Sequence, residues 1–140
     1  MTHDRRVVTA CASGAQAIGE AAAIIRRDWA DVMIAGGTDA LILRVSIVGF
    51  NAMGAISRRN DDPAKASRPF DDERDGLVLS EGSAIVILEE RSQAVQRGAR
   101  IYAEVWGYAS SSDTHSIAAP DPGGESAAQD MRWALRARSA

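Results

Sequence analysis

At 140 residues the chain has the length of one ordinary domain. It is 46% hydrophobic and 25% charged with a net charge of −3, a globular composition with no basic excess to suggest nucleic acid as partner. No apolar run reaches the roughly eighteen residues of a membrane span, and residues 1–6 (Met-Thr-His-Asp-Arg-Arg) lack a signal peptide's apolar centre, so a cytoplasmic protein is expected.

In chain order, Arg5 to Ala10 reads as a short buried strand. From Cys11 to Arg27 the pattern is helical, with Ala15, Ile18, Ala22 and Ile25 at spacings of three and four. Seven of the fourteen residues from Ala10 to Ala23 are alanine, so this helix can pack closely on several sides. Arg26 and Arg27 fall in its last turn, where cations complement exposed carbonyls. Asp31 to Ala35 is a second buried strand that Gly36-Gly37 should stop, and strand–helix–strand predicts a parallel pair. Leu41 to Ile56 is apolar without a clean period and reads as short helix or packed loop.

Residues 58–76 hold eleven charged side chains among nineteen. Their interleaved signs favour an ordered, ion-paired loop over a disordered one. Two short apolar runs, Leu77 to Leu79 and Ala84 to Leu88, flank an expected turn at Ser80 to Ser83. A short helix follows over Glu89 to Arg97, closed by Gly98 just past its end. Ile101 to Ala109 alternates as a strand, Ser110 to Gly124 is a loop, and Ser126 to Arg138 is a last amphipathic helix. The order is mixed α/β.

The single cysteine, Cys11, excludes an internal disulfide and a cysteine zinc cluster. A lone thiol is most often a small buried hydrophobe. Its neighbours, Val7-Val8-Thr9-Ala10-Cys11-Ala12-Ser13-Gly14, instead place it where a strand turns into a helix. Unpaired N–H groups at such a turn can hold negative charge on an attacked carbonyl oxygen, and the small flanking residues leave room for substrate. The arrangement suits acyl transfer through a thioester.

The segment Thr9-Ala10-Cys11-Ala12-Ser13-Gly14 with Ala17-Ile18-Gly19-Glu20 resembles the nucleophile region of the β-ketoacyl-(acyl-carrier-protein) synthases, condensing enzymes of the thiolase-fold superfamily. The likeness continues in register through Ala30 to Gly37, Ser67-Arg68-Pro69-Phe70-Asp71, Arg74-Asp75-Gly76, Glu81-Gly82, Arg97-Gly98-Ala99 and Ser111-Ser112-Asp113. It covers the chain from Val7 to about Leu135.

That resemblance implies an α/β, partial thiolase-like fold: residues 1–100 would be the end of the N-terminal α/β half, and 101–140 the first strand and helix of the C-terminal half. It implies Cys11 as the nucleophile of a decarboxylating Claisen condensation between an acyl thioester and malonyl-acyl-carrier protein, in fatty acid biosynthesis. Acyl-carrier protein would be the partner and would supply the pantetheine arm, with no metal or other cofactor. The intact family forms homodimers. Phe50 and Leu77 fall at positions that line the acyl pocket and the reaction centre, and Leu77 stands where an aromatic is common. Ala118 stands where a hydroxyl residue often contacts pantetheine, and Gly54 replaces a basic residue that in some members helps dock the carrier.

The family's two histidines belong to downstream motifs, and neither His3 nor His115 sits in such a motif. His115 falls where the family often has an aromatic, so an ordinary loop histidine is expected. Exposed apolar surface is expected on Ile18, Ile25 and Val32 to Ile34, and the piece taken alone should be catalytically poor. Two alternatives stand beside a fatty-acid synthase: a polyketide ketosynthase, or an inactive truncated chain that pairs with an intact synthase subunit.

Overall fold

The computed structural model describes residues 4–117 and 119–137. Among these residues four helices, α1 (Ser13–Arg26), α2 (Arg44–Ala52), α3 (Arg91–Gln96) and α4 (Glu125–Arg136), accompany two strands, β1 (Val32–Ala40) and β2 (Glu81–Glu89). Short 3-10 turns cover Ala10–Ala12 and Pro63–Lys65. The chain divides into two compact units, residues 1–37 with 85–140, and residues 38–84.

In the first unit α1 supplies most of the core. Ala21, Ala22 and Ile24 are buried there, and Ile24 is the one large side chain fully enclosed among the described residues. The alanine-rich sequence explains the close packing, because no Cβ branch holds neighbours away. The expected bounds of the helix hold to within two residues, apart from its opening turn, which is 3-10. Arg26 does more than complement the helix end: its Nη2 donates to the Val105 carbonyl at 2.7 Å.

Three helices end alike. After α1, Asp28 takes φ 55°, its N–H bonds to Ile25 O at 3.0 Å and the Trp29 N–H to Ile24 O at 3.2 Å. After α2, Gly54 takes φ 68°, with Gly54 N–H on Asn51 O and Ala55 N–H on Phe50 O. After α3, Gly98 takes φ 69°, with Gly98 N–H on Val95 O and Ala99 N–H on Ala94 O. Each is the paired closure that satisfies the last carbonyls of a helix. Gly98 was legible as a cap. Gly54 also has this backbone role, which a residue with a Cβ fills only under strain.

The sheet departs from expectation. β1 and β2 pair with each other, and they run antiparallel. Glu90 N–H bonds to Asp31 O at 3.1 Å beside the start of β1, while Thr38 Oγ1 donates to Gly82 O at 3.3 Å near its end. Residues 5–10 and 101–109 belong to no strand, because no described residue offers them a ladder. Val8 is accordingly 88% exposed. Gly36-Gly37 does not stop β1, which runs on to Ala40, and the expected turn at Ser80 to Ser83 is largely the start of β2. Glycine weakens a strand but does not forbid one, and cross-strand pairing outweighs its entropy cost here. Val32 and Ile34 are exposed as expected, whereas Ile18 and Ile25 are half-buried. A groove of about 1050 Å³ lined by Ile18, Ile25, Ile87 and Ile101 marks the same apolar character in this unit.

In the second unit the charged loop is ordered as anticipated, but arginine–carbonyl bonds accompany its ion pairs. Arg59 donates to Glu73 O at 2.7 Å, Arg68 to Lys65 O at 2.8 Å, and Arg74 to Asp71 O at 2.7 Å. Such bonds fix backbone, whereas exposed ion pairs such as Lys65–Asp62 at 2.9 Å add little. At the base of the loop Asp75 accepts from Ser57 Oγ at 2.7 Å and from the Arg58 N–H at 3.2 Å, with Arg59 at 3.4 Å. The Ser57 hydroxyl is the main cause, with the Arg58 N–H and the Arg59 charge behind it, that holds the Asp75 carboxyl below its ordinary value. A carboxylate whose folded value is depressed contributes stability above its unfolded value and loses it as pH falls through the folded one. Asp75→Asn is therefore expected to lower the thermal midpoint at pH 7 and to flatten its fall below about pH 4, and an unchanged acid limb would count against this clamp.

Candidate functional site

Cys11 lies exposed in the 3-10 turn that opens α1. The backbone turns sharply at Ala10, whose φ of 49° is left-handed. For an alanine this conformation costs on the order of 1–2 kcal/mol, and it persists only where neighbours enforce it. Ala12 N–H bonds to Thr9 O at 3.1 Å and Ser13 N–H to Ala10 O, closing the turn. The Ser13 hydroxyl completes it by accepting from Thr9 N–H at 2.8 Å and donating to Ala10 O at 2.8 Å. In a 3-10 turn the first N–H groups, that of Cys11 among them, have no acceptor inside the helix. A nucleophile raised on a strained corner at the start of a helix is the geometry used to present a side chain to an acyl carbonyl. A hollow of about 270 Å³ lined by Arg5, Arg6, Thr9, Gln16 and Glu20 adjoins the corner.

Phe50 and Leu77 both belong to the second unit. Phe50 is half-buried near the end of α2, and Leu77 is 54% exposed. Backbone bonds link them through Ala55: Ala55 N–H bonds to Phe50 O at 3.0 Å and Leu77 N–H to Ala55 O at 2.7 Å, while Ser57 N–H bonds to Leu77 O at 2.9 Å. Gly76, at φ 146°, packs so tightly that a Cβ there would meet Ser57 N at 2.5 Å. Ala118 and His3 lie outside the described residues.

His115 is exposed in a loop organised by Asp113. The Asp113 carboxylate accepts from Asp121 N–H at 2.8 Å and from the His115 backbone N–H at 2.9 Å, and these bonds hold its carboxyl below the ordinary value. The backbone of His115 thus has a local turn role. No cluster of metal-ligating side chains forms among the described residues, and no helix among them is long and apolar enough to cross a membrane.

The β-ketoacyl synthase N-terminal domain family matches residues 5–94, a span that includes the Cys11 corner. The chain belongs to the β-ketoacyl synthase family. It is 53% identical over 131 residues to 3-oxoacyl-(acyl-carrier-protein) synthase 2 of Rhizobium meliloti, covering 93% of this chain and 31% of that protein. With the same-named protein of Synechocystis it shares 51% over 129 residues, covering 92% of this chain and 31% of the relative. The chain therefore spans about a third of the length of these curated relatives. Among solved structures it is similar to a ketosynthase of a type II polyketide synthase in complex with its acyl-carrier protein, at TM-score 0.88 and 41% identity over 92% of this chain and 32% of that one. A β-ketoacyl synthase from Burkholderia phymatum gives TM-score 0.84 and 40% identity over 92% of this chain and 31% of that one. The α/β, thiolase-like expectation stands.

Sequence reasoning missed three residues of this region. Ser13 carries a local signal, a hydroxyl two residues after Cys11 that can reach back to the turn. Gly19 and Tyr108 carry none, since their contact joins residues distant in sequence: a Cβ at Gly19 would run into the Tyr108 ring.

Proposed function

We propose that the protein of which this chain is part, or which it constitutes, is a 3-oxoacyl-(acyl-carrier-protein) synthase of fatty acid biosynthesis, with Cys11 as its nucleophile. The observation that carries this reading is the exposed cysteine on the left-handed Ala10 corner within the matched family region. Cys11 Sγ attacks the carbonyl carbon of an acyl thioester on acyl-carrier protein. The sulfur–carbon bond to Cys11 forms, that to pantetheine breaks, and the proton leaves Cys11 for the departing pantetheine sulfur. Malonyl-acyl-carrier protein then loses carbon dioxide. The electron pair left on its α-carbon forms a carbon–carbon bond to the acyl group, the bond from the acyl carbonyl carbon to Cys11 Sγ breaks, and Cys11 leaves as thiolate, which takes one proton from solvent to return to the thiol. Backbone N–H groups at the corner stabilise the oxyanion of each addition.

The pantetheine arm comes with the carrier, and the reaction needs no metal. Residues 1–100 are the end of the N-terminal half and 101–140 the start of the second, a division supported by the N-terminal-domain match ending at residue 94. Phe50 and Leu77, joined within their own unit through Ala55, are carried over from the resemblance as acyl-pocket and reaction-centre positions, and Ala118 as the position of a pantetheine contact. Both family histidines, which would polarise the malonyl carbonyl, are absent from this chain, so acyl transfer to Cys11 is expected and condensation is not. A homodimer in the cytoplasm is the assembly this reading carries.

A polyketide ketosynthase remains the second reading, favoured by the likeness to the polyketide complex. The higher identity to the curated synthases weighs for the first. To test the function, the chain is incubated with saturated acyl-carrier-protein thioesters and its mass followed. One acyl group on the Cys11 peptide, released by hydroxylamine, is the expected result. Acylation elsewhere, or none, would overturn the assignment.

A further inference from the structure

Resting on that reading of Cys11, we infer that Ser13 is a positioning residue for the nucleophile, its hydroxyl holding the left-handed corner from which Cys11 reacts. Ser13 is the first residue of α1, not its cap: the N-cap position is Ala12, and no side chain caps the helix. A capping serine accepts from N–H groups further along the helix. Ser13 reaches the other way. Its oxygen accepts from Thr9 N–H at 2.8 Å and its proton goes to Ala10 O at 2.8 Å, so the two bonds clasp the residues immediately before Cys11.

The clasp acts where strain is stored. Ala10 holds φ 49° without the freedom of glycine. Left to itself an alanine returns to the right-handed or extended regions, and either change would re-aim the residue that follows it. The Ala10 carbonyl takes both the Ser13 N–H and the Ser13 hydroxyl, so the hydroxyl is a second constraint on a turn whose backbone bonds alone leave it looser. Positioning of this kind governs reaction rate steeply, since displacement by about 1 Å can cost on the order of 100-fold.

The test compares wild type, Ser13→Ala and Ser13→Thr in the full 140-residue chain. Rates are measured for acylation of Cys11 by acyl-carrier-protein thioester, and for alkylation by iodoacetamide in native buffer and in urea. Ser13→Ala is expected to slow acylation about 10-fold or more, with the same alkylation rate in urea and the same helical circular dichroism. Ser13→Thr, which keeps the hydroxyl, is expected to stay within about threefold of wild type, a rescue that a merely space-filling serine would not require. Wild-type acylation by Ser13→Ala overturns the inference alone, as does a Ser13→Thr loss equal to that of Ser13→Ala. A wild-type chain that takes no acyl group overturns it together with the proposed function. If Ser13→Ala does not fold, hydrogen exchange of the Thr9 amide decides: slowed exchange in wild type and in an active Ser13→Thr supports the clasp, and free exchange refutes it.

Discussion

Cys11→Ala is expected to reduce acyl transfer to the chain to the level of the uncatalysed background, a loss of roughly 1,000-fold or more. The size follows from the chemistry, because no other described side chain offers a comparable nucleophile at the corner. The sequence holds one cysteine, and the hydroxyl of Ser13 is already committed to Thr9 and Ala10. Removing the sulfur leaves the turn's backbone bonds, which use main-chain atoms of Thr9, Ala10, Ala12 and Ser13, in place. The variant should therefore keep the wild-type thermal midpoint while losing hydroxylamine-labile acyl groups, as read by intact mass. Acylation that persists in Cys11→Ala would place the acceptor elsewhere, and a large fall in midpoint would make Cys11 a packing residue.

Local rules made part of this structure legible. The small-residue periodicity of Ala15, Ile18, Ala22 and Ile25 marks α1, and Gly98 marks the end of α3, because capping and amphipathicity are properties of short stretches. The helix start at Cys11 was legible from Thr9 to Gly14 for the same reason, although the strand expected just before it is not among the described strands. Its sharpest feature, the left-handed Ala10, was not visible, since no glycine or asparagine advertises it. Strands failed differently. Residues 5–10 and 101–109 have strand-like composition yet no ladder, while β1 passes through Gly36-Gly37 because β2 pairs with it. A strand is decided by its partner, which lies far away in sequence. Phe50 and Leu77 were named by resemblance alone, and their link through Ala55 depends on the α2 closure at Gly54.

Gly19→Ala is expected to destabilise the chain by about 2 kcal/mol, against the gain of roughly 0.5–1 kcal/mol that alanine usually brings to a helix interior. Gly19 is buried in α1, and an added Cβ would overlap both Cγ and Cδ2 of Tyr108. Cγ is the root of the ring, so turning the ring about its axis cannot clear it. The side chain must swing away or the backbone must move, and either opens the contact between α1 and the run that contains Tyr108. The Tyr108 hydroxyl is buried without a hydrogen-bond partner, so the ring is held by packing alone. With Ile24 the one large side chain fully enclosed among the described residues, little other core exists to absorb the change. Gly49→Ala supplies the contrast, since nothing lies within 4 Å of a Cβ at that exposed position in α2. Urea melts should show the Gly19 variant falling and the Gly49 variant level or rising. Adding Tyr108→Ala to Gly19→Ala should cost less than the sum of the single changes, because the clash is then removed. Additive losses would mean that the two residues do not press on each other.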